Sequence, residues 1–239
     1  MAIIDKPSDY FNTSAVWSGD DSEHTISGIG HQPDFTWIKG VNIGTQHYLF
    51  DIVRGATKII IANGTNAEST NAQTLKSWNS DGFVLGTSDD VNGSGRTYIA
   101  WNWKESATAG FDILTYEGSG SAQTISHNLG VKPDMIIVKN IDSSDPPFNW
   151  RVYHSSLGAG VALKLNATDA VSDDPGYWND TEPTSSVFSV KDSGETNNSG
   201  QTYIAYLFAG KQGYSKFGSY VGNGNADGTF VYTGFKPAW

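Results

Sequence analysis

The chain of 239 residues carries 15 Lys and Arg against 25 Asp and Glu, and its formal charge of −10 repels the phosphate backbone that dominates nucleic-acid affinity. Nucleic acid is therefore not an expected partner. Cys is absent, which excludes disulfides and thiolate metal sites, and no apolar run approaches the length of a membrane span.

The start, Met1-Ala2-Ile3-Ile4-Asp5-Lys6-Pro7, lacks the basic flank and apolar stretch of a secretory leader, so synthesis in a cytoplasm without membrane insertion is expected. Further along, 27 Gly and many Ser, Thr, Asn and Asp punctuate short runs of Ile, Val, Tyr, Phe and Trp, as in sandwiches and barrels. Strands are predicted over residues 12–17, 23–27, 35–40, 48–53, 58–62, 82–85 and 97–103. A second series is predicted over 111–116, 122–126, 135–140, 150–154, 161–166, 186–190 and 202–208. The alternation in Trp150-Arg151-Val152-Tyr153-His154 and Val161-Ala162-Leu163-Lys164-Leu165 predicts strands with one wet face, whereas the unbroken apolar run 135–138 predicts a strand covered on both faces. Pro33 and Pro133 stand just before their strands, where a missing N–H costs least.

The two series are diverged copies of one unit. Ile29-Gly30-His31-Gln32-Pro33-Asp34 returns as Leu129-Gly130-Val131-Lys132-Pro133-Asp134, and Gly95-Arg96-Thr97-Tyr98-Ile99-Ala100 returns as Gly200-Gln201-Thr202-Tyr203-Ile204-Ala205. The offset drifts from 100 to 105 residues between these anchors, which puts the insertions in the middle loops, near 173–184 in the second copy. A third opening follows, Tyr220-Val221-Gly222-Asn223-Gly224 matching Tyr116-Glu117-Gly118-Ser119-Gly120, and Gly234-Phe235-Lys236-Pro237 stands where the Gly-x-x-Pro motif is due. The expected fold is all-β, with tandem antiparallel β-sandwich repeats of jelly-roll or concanavalin A-like type. Residues 1–106 form the first repeat, 107–212 the second, and 213–239 the start of an incomplete third, which serves as an interchain or inter-repeat strand segment.

Signals of chemistry are sparse. The five His residues (24, 31, 47, 127 and 154) form no metal-ligand motif and none recurs at an equivalent position, so each reads as a surface or hydrogen-bonded residue. No nucleophile elbow or phosphate loop is present. Asn223-Gly224-Asn225-Ala226-Asp227-Gly228 has oxygen side chains at alternate positions but lacks the first Asp and the closing Glu of a calcium loop, and reads as a turn. Ser88-Asp89-Asp90 and Ser172-Asp173-Asp174-Pro175 read as solvated acidic loops. No cofactor or metal is expected.

Aromatic residues carry the remaining signal. Trp37, Trp101, Trp103 and Trp150 fall inside predicted strands and read as core. Trp78 with Asn79 and Asp81, and Trp178 with Asn179 and Asp180, fall in the variable middle loops. An indole face beside amide and carboxylate groups can stack a sugar ring and bond its hydroxyls, which makes these six the candidate ligand-binding residues. A loop Trp can equally cap the sandwich core, and that alternative is the favoured one. A glycosidase needs two carboxylates at a set separation, which sequence cannot place.

At Pro33-Asp34-Phe35-Thr36-Trp37-Ile38-Lys39, Leu49-Phe50-Asp51-Ile52-Val53-Arg54-Gly55-Ala56-Thr57-Lys58, Asp81-Gly82-Phe83-Val84-Leu85-Gly86 and Tyr98-Ile99-Ala100-Trp101-Asn102-Trp103-Lys104, the chain resembles repeat-bearing structural proteins of marine tailed phages. Trp150-Arg151-Val152-Tyr153-His154, Trp178-Asn179-Asp180 and Pro183-Thr184-Ser185-Ser186-Val187-Phe188 extend the likeness into the second copy. The resemblance implies lectin-like β-sandwich repeats on a virion surface, in a tail fibre or capsid decoration, and no catalytic residues to carry over. The expected function is noncatalytic binding of a host surface glycan or other surface ligand, with other virion proteins as partners and a homo-oligomer, a trimer for a fibre. A ligand-free capsid cement or spacer, and a carbohydrate-active enzyme, are the alternatives. Relatives of this type continue where this chain stops, inside its third repeat.

Overall fold

The computed structural model describes residues 4–143 and 146–237; the first three residues of the predicted leader-free start and the last two of the predicted third repeat lie outside them. The chain is nearly all β. After a 3₁₀ turn at Pro7–Asp9 come β1 (Phe11–Ser18), β2 (His24–Ile26), β3 (Phe35–Gly40), β4 (His47–Asp51), β5 (Lys58–Ile61), β6 (Ser69–Thr70), β7 (Leu75–Asn79) and β8 (Gly82–Leu85). A single helical turn, α1 (Asp89–Asn92), then leads to β9 (Thr97–Trp103). The second half contains β10 (Phe111–Glu117), β11 (Gln123–Ser126), β12 (Met135–Asn140), β13 (Arg151–His154), β14 (Val161–Lys164), β15 (Ser172–Asp173), β16 (Val187–Val190), α2 (Gly194–Asn197) and β17 (Thr202–Phe208).

All pairings between these strands are antiparallel. The first half forms a six-stranded sheet, β1-β9-β3-β4-β5-β6, and a small sheet, β2-β8-β7; the second forms β10-β17-β12-β13-β14-β15 and a β11-β16 pair. Registers correspond as well as order. Trp17 lies opposite Tyr98 in one half and Tyr116 opposite Tyr203 in the other, and both pairs stack, with ring centroids 5.6 and 5.2 Å apart.

Alternation along the central strands explains the layering. In β9, Tyr98 and Ala100 face a core shared with the small sheet, among Trp17, Ile38, Phe50, Phe83 and Leu85, while Trp101 and Trp103 face the opposite way. In β17, Tyr203, Ala205 and Leu207 enter the second half's own core, while Ile204, Tyr206 and Phe208 face the opposite way. The two opposite faces meet. Phe35, Leu49, Ile60 and Trp103 of the first half pack with Phe111, Ile113, Trp150, Ile204 and Tyr206 of the second in a third core, so the large sheets stand back to back. Trp150 is fully buried there and donates its Nε1–H to the Ile61 carbonyl (2.9 Å), and the Tyr206 hydroxyl donates to Asp51 Oδ2 (2.6 Å), itself paired with buried Arg54.

This shared core corrects the one-wet-face prediction for 150–154. Trp150 faces the shared core, Tyr153 the second half's own core, and Arg151 is 5 % exposed because it pairs with Glu195 and lies 4.1 Å over the Tyr177 ring. The strand predicted as covered on both faces is so, with Ile136 and Val138 in one core and Ile137 packed on the other. Trp37 and Trp101 are only partly buried at the shared core's margin.

Two predicted acidic loops are partly regular. Ser88 accepts from the Asp90 N–H, an N-cap that starts α1, and Ser193 caps α2 in the same way through Glu195; Ser172 and Asp173 pair with β14. Beyond β17 the chain makes a turn bridged between Lys211 and Ser215, and the described residues after it form no strand. Tyr220 and Phe230 in this tail are 69 % and 87 % exposed.

Candidate functional site

The six sequence-predicted ligand residues lie in two groups, one at the β7–β8 hairpin, where the Asp81 N–H donates to Asn79 Oδ1 (3.0 Å), and one in the loop between β15 and β16. Trp78 and Asn79 are on strand β7, not in a loop, Trp78 partly buried against the first half's core and Asn79 paired with Gly82, and Asp81 belongs to the turn from β7 to β8. Trp178 is 2 % exposed and meets Tyr153 edge-to-face at 6.1 Å, the core-capping alternative for a loop Trp. Its ring offers no face to a sugar. Asn179 and Asp180 form the turn beyond it, both with left-handed backbone (φ 54° and 46°).

Asp81 leads to a different place. Its Oδ2 accepts from the Gly28 N–H (2.9 Å) and its Oδ1 from the Gly30 N–H (2.6 Å), and these two bonds hold its carboxyl below the usual carboxylate range. Gly28 and Gly30 have φ of 82° and 87°, a backbone that side-chain-bearing residues rarely adopt. Asp81 thus fixes the loop from Gly28 to Pro33. On the other side of that loop Asn12 Nδ2 donates to the Ile29 carbonyl (2.9 Å), and the Lys104 N–H donates to the Tyr10 carbonyl (2.9 Å).

Between this loop, the 3₁₀ turn and the end of β9 opens a cavity of about 510 Å³, lined by Asp9, Tyr10, His31, Gln32, Ser80 and Lys104. His31 is the unusual member. It is 5 % exposed, its Nδ1 lies 3.0 Å from the Ser8 carbonyl, and its Nε2 is buried without a hydrogen-bond partner. A carbonyl only accepts, so Nδ1 carries the proton and Nε2 presents a lone pair. Burial pushes the imidazole pKa down, with Lys104 adding to that effect, so the ring is held neutral. Asp9 is paired with Lys6 (2.6 Å), and Asp34, pushed up by burial, accepts from the Glu105 N–H (2.8 Å).

Sequence reasoning placed Asp81 and missed the rest. A lone His gives no spacing signal, and its one clue is that the repeat puts Val131 at the same place in the second half, where that residue is 41 % exposed. Among the described residues no cluster of His, Asp and Glu could hold a metal ion. Residues 6–239, nearly the whole chain, match a family model described as a domain of unknown function, DUF7483. The chain belongs to the DUF7483 family. No curated protein and no solved structure matches it. The His31 cavity lies wholly within the DUF7483 match.

Proposed function

We propose that this DUF7483 chain is a noncatalytic virion surface protein, a tail fibre or capsid decoration, that binds a host surface glycan in the His31 cavity. The observation that carries the proposal is the composition of the cavity lining: one aromatic residue, Tyr10, with Asp9, Gln32, Ser80, Lys104 and His31, whose buried Nε2 has no partner. Apolar faces with a few placed polar groups are what sugar rings require. The resemblance to phage repeat proteins supplies the setting, and display in several copies raises weak single-site affinity by avidity. Each half is read as one copy of a tandem jelly-roll-type sandwich, in keeping with the matching strand orders and registers.

An oligosaccharide array tests this with the wild-type protein and Tyr10→Ala. Binding that falls at least tenfold in the variant, with an unchanged circular dichroism spectrum, is the expected result; no binding to any saccharide or to host cells overturns it. The back-to-back sheets favour one other reading, a rigid spacer or cement, for which saturable affinity for an assembled particle without any host ligand is the distinguishing result.

A further inference from the structure

We infer that the His31 cavity takes an uncharged, hydroxyl-rich sugar ring, one of whose hydroxyls donates to His31 Nε2 and accepts from Lys104, and that it rejects carboxylated or sulfated sugars. This rests on the glycan-binding reading and adds to it the class of ligand and the residues that select it.

Two groups of the cavity are without partners, and they ask for opposite things. His31 Nε2 is a buried lone pair with no donor in the protein, because the Ser8 carbonyl fixes the ring proton on Nδ1. The Lys104 ammonium is exposed and, among the described residues, has no ion pair or hydrogen bond. A hydroxyl satisfies both at once, since it donates one hydrogen and accepts on its lone pairs. A carboxylate or sulfate only accepts. It would suit Lys104 but would set lone pair against lone pair at Nε2.

The surrounding charges point the same way. The carboxylates near the imidazole are Asp9, Asp34 and Asp81. Each already has donors: Lys6 for Asp9, the Glu105 N–H for Asp34, and the Gly28 and Gly30 N–H groups for Asp81. Against these three negative charges stand Lys6 and Lys104, so an anionic ligand meets net repulsion where a neutral one does not. In the second half Val131 replaces His31 and supplies no acceptor, which confines this chemistry to the first half.

The test is titration calorimetry of the full chain at pH 7.5 with neutral hexasaccharides (β-glucan, mannan and galactan) and with the uronate hexasaccharides of alginate and pectate. At least one neutral ligand is expected to bind and the uronates are not. His31→Val, which imports the second half's residue, should weaken that binding tenfold or more, and Lys104→Ala severalfold. Lys104 is exposed, so its variant keeps the test alive should His31→Val fail to fold. In ¹⁵N spectra His31 Nε2 should appear unprotonated and shift as the neutral sugar is added. Binding of uronates alone, or neutral binding indifferent to both variants, overturns the inference and leaves glycan binding standing. Failure of every saccharide of both classes overturns both.

Discussion

The two halves keep one backbone frame and change the chemistry hung on it. At the same place in the fold, where β4 and β13 face the helical turns, the first half sets the Tyr48 hydroxyl on Asp90 (2.6 Å) and the second sets Arg151 on Glu195. The stacked Tyr98 and Tyr203 are anchored alike, each donating to a helix-turn carbonyl, of Asp89 or Gly194, and accepting from the backbone just after it, Gly93 or Asn198. Asn92 and Asn197 are both fully buried and bond loop carbonyls through Nδ2. The Tyr and Asn positions that close the frame are therefore alike in kind, while the pair across β4 and β13 and the Gly-x-x-Pro loop, with His31 in one half and Val131 in the other, differ. The difference teaches that the shared positions are set by packing, and that chemistry particular to one half lies where the halves disagree.

The sharpest break in the comparison is at the surface the halves share. Trp150→Ala removes a fully buried indole and its bond to Ile61, and should cost about 3–5 kcal/mol in denaturant unfolding. Both halves should unfold in one transition; two separated transitions would show that each stands alone. Next comes the exchange of partners across β4 and β13. Arg151→Met leaves Glu195, whose side chain is 15 % exposed, without its cation and should cost about 3 kcal/mol, whereas Tyr48→Phe removes one hydrogen bond and should cost about 1 kcal/mol. Equal losses in the two variants would mean that the halves do not differ in how deeply these groups are held.

The smallest effect is a pH dependence present in one half only. Burial, and then Asp112, push the Glu105 carboxyl up to about 7 from an ordinary 4.5, while the second half has Gly210 at that place, its N–H on Asp134 as that of Glu105 is on Asp34. A raised folded-state value favours the protonated form, so this contribution is complete below pH 4.5 and is lost as pH rises through 7. Glu105→Gln should raise the melting temperature at pH 8 and flatten its slope between pH 4.5 and 7. An unchanged slope would remove Glu105 from the account.

Strands rich in Ile, Val and aromatic residues were legible because their patterning is local: the unbroken apolar run from Met135 to Val138 announces two covered faces, and Ile136 and Val138 enter one core while Ile137 packs on the other. Strand β7 was not, since Leu75-Lys76-Ser77-Trp78-Asn79 has no β-branched residue and takes its shape from pairing with β8. Trp103 and Trp150 read correctly as core, but nothing local says that their core belongs to both halves. The candidate site was legible only at Asp81, and there for another reason than the one found. His31 depends on Ser8, 23 residues away, and on the turn that covers it, neither of which a motif records.

Strand β17 has a mechanical consequence. It lies between β10 and β12, holds side chains in two cores, and is the last strand before the exposed tail. Tension entering through that tail reaches a strand clamped by two ladders along its length, Phe208 facing both Phe111 and Met135. Such a strand yields by shearing many hydrogen bonds together, not by peeling them singly, and the load spreads through the second large sheet and, by way of Ile204 and Tyr206, into the core shared with the first half. A tether attached at this end would pull on the best-anchored strand of the second half.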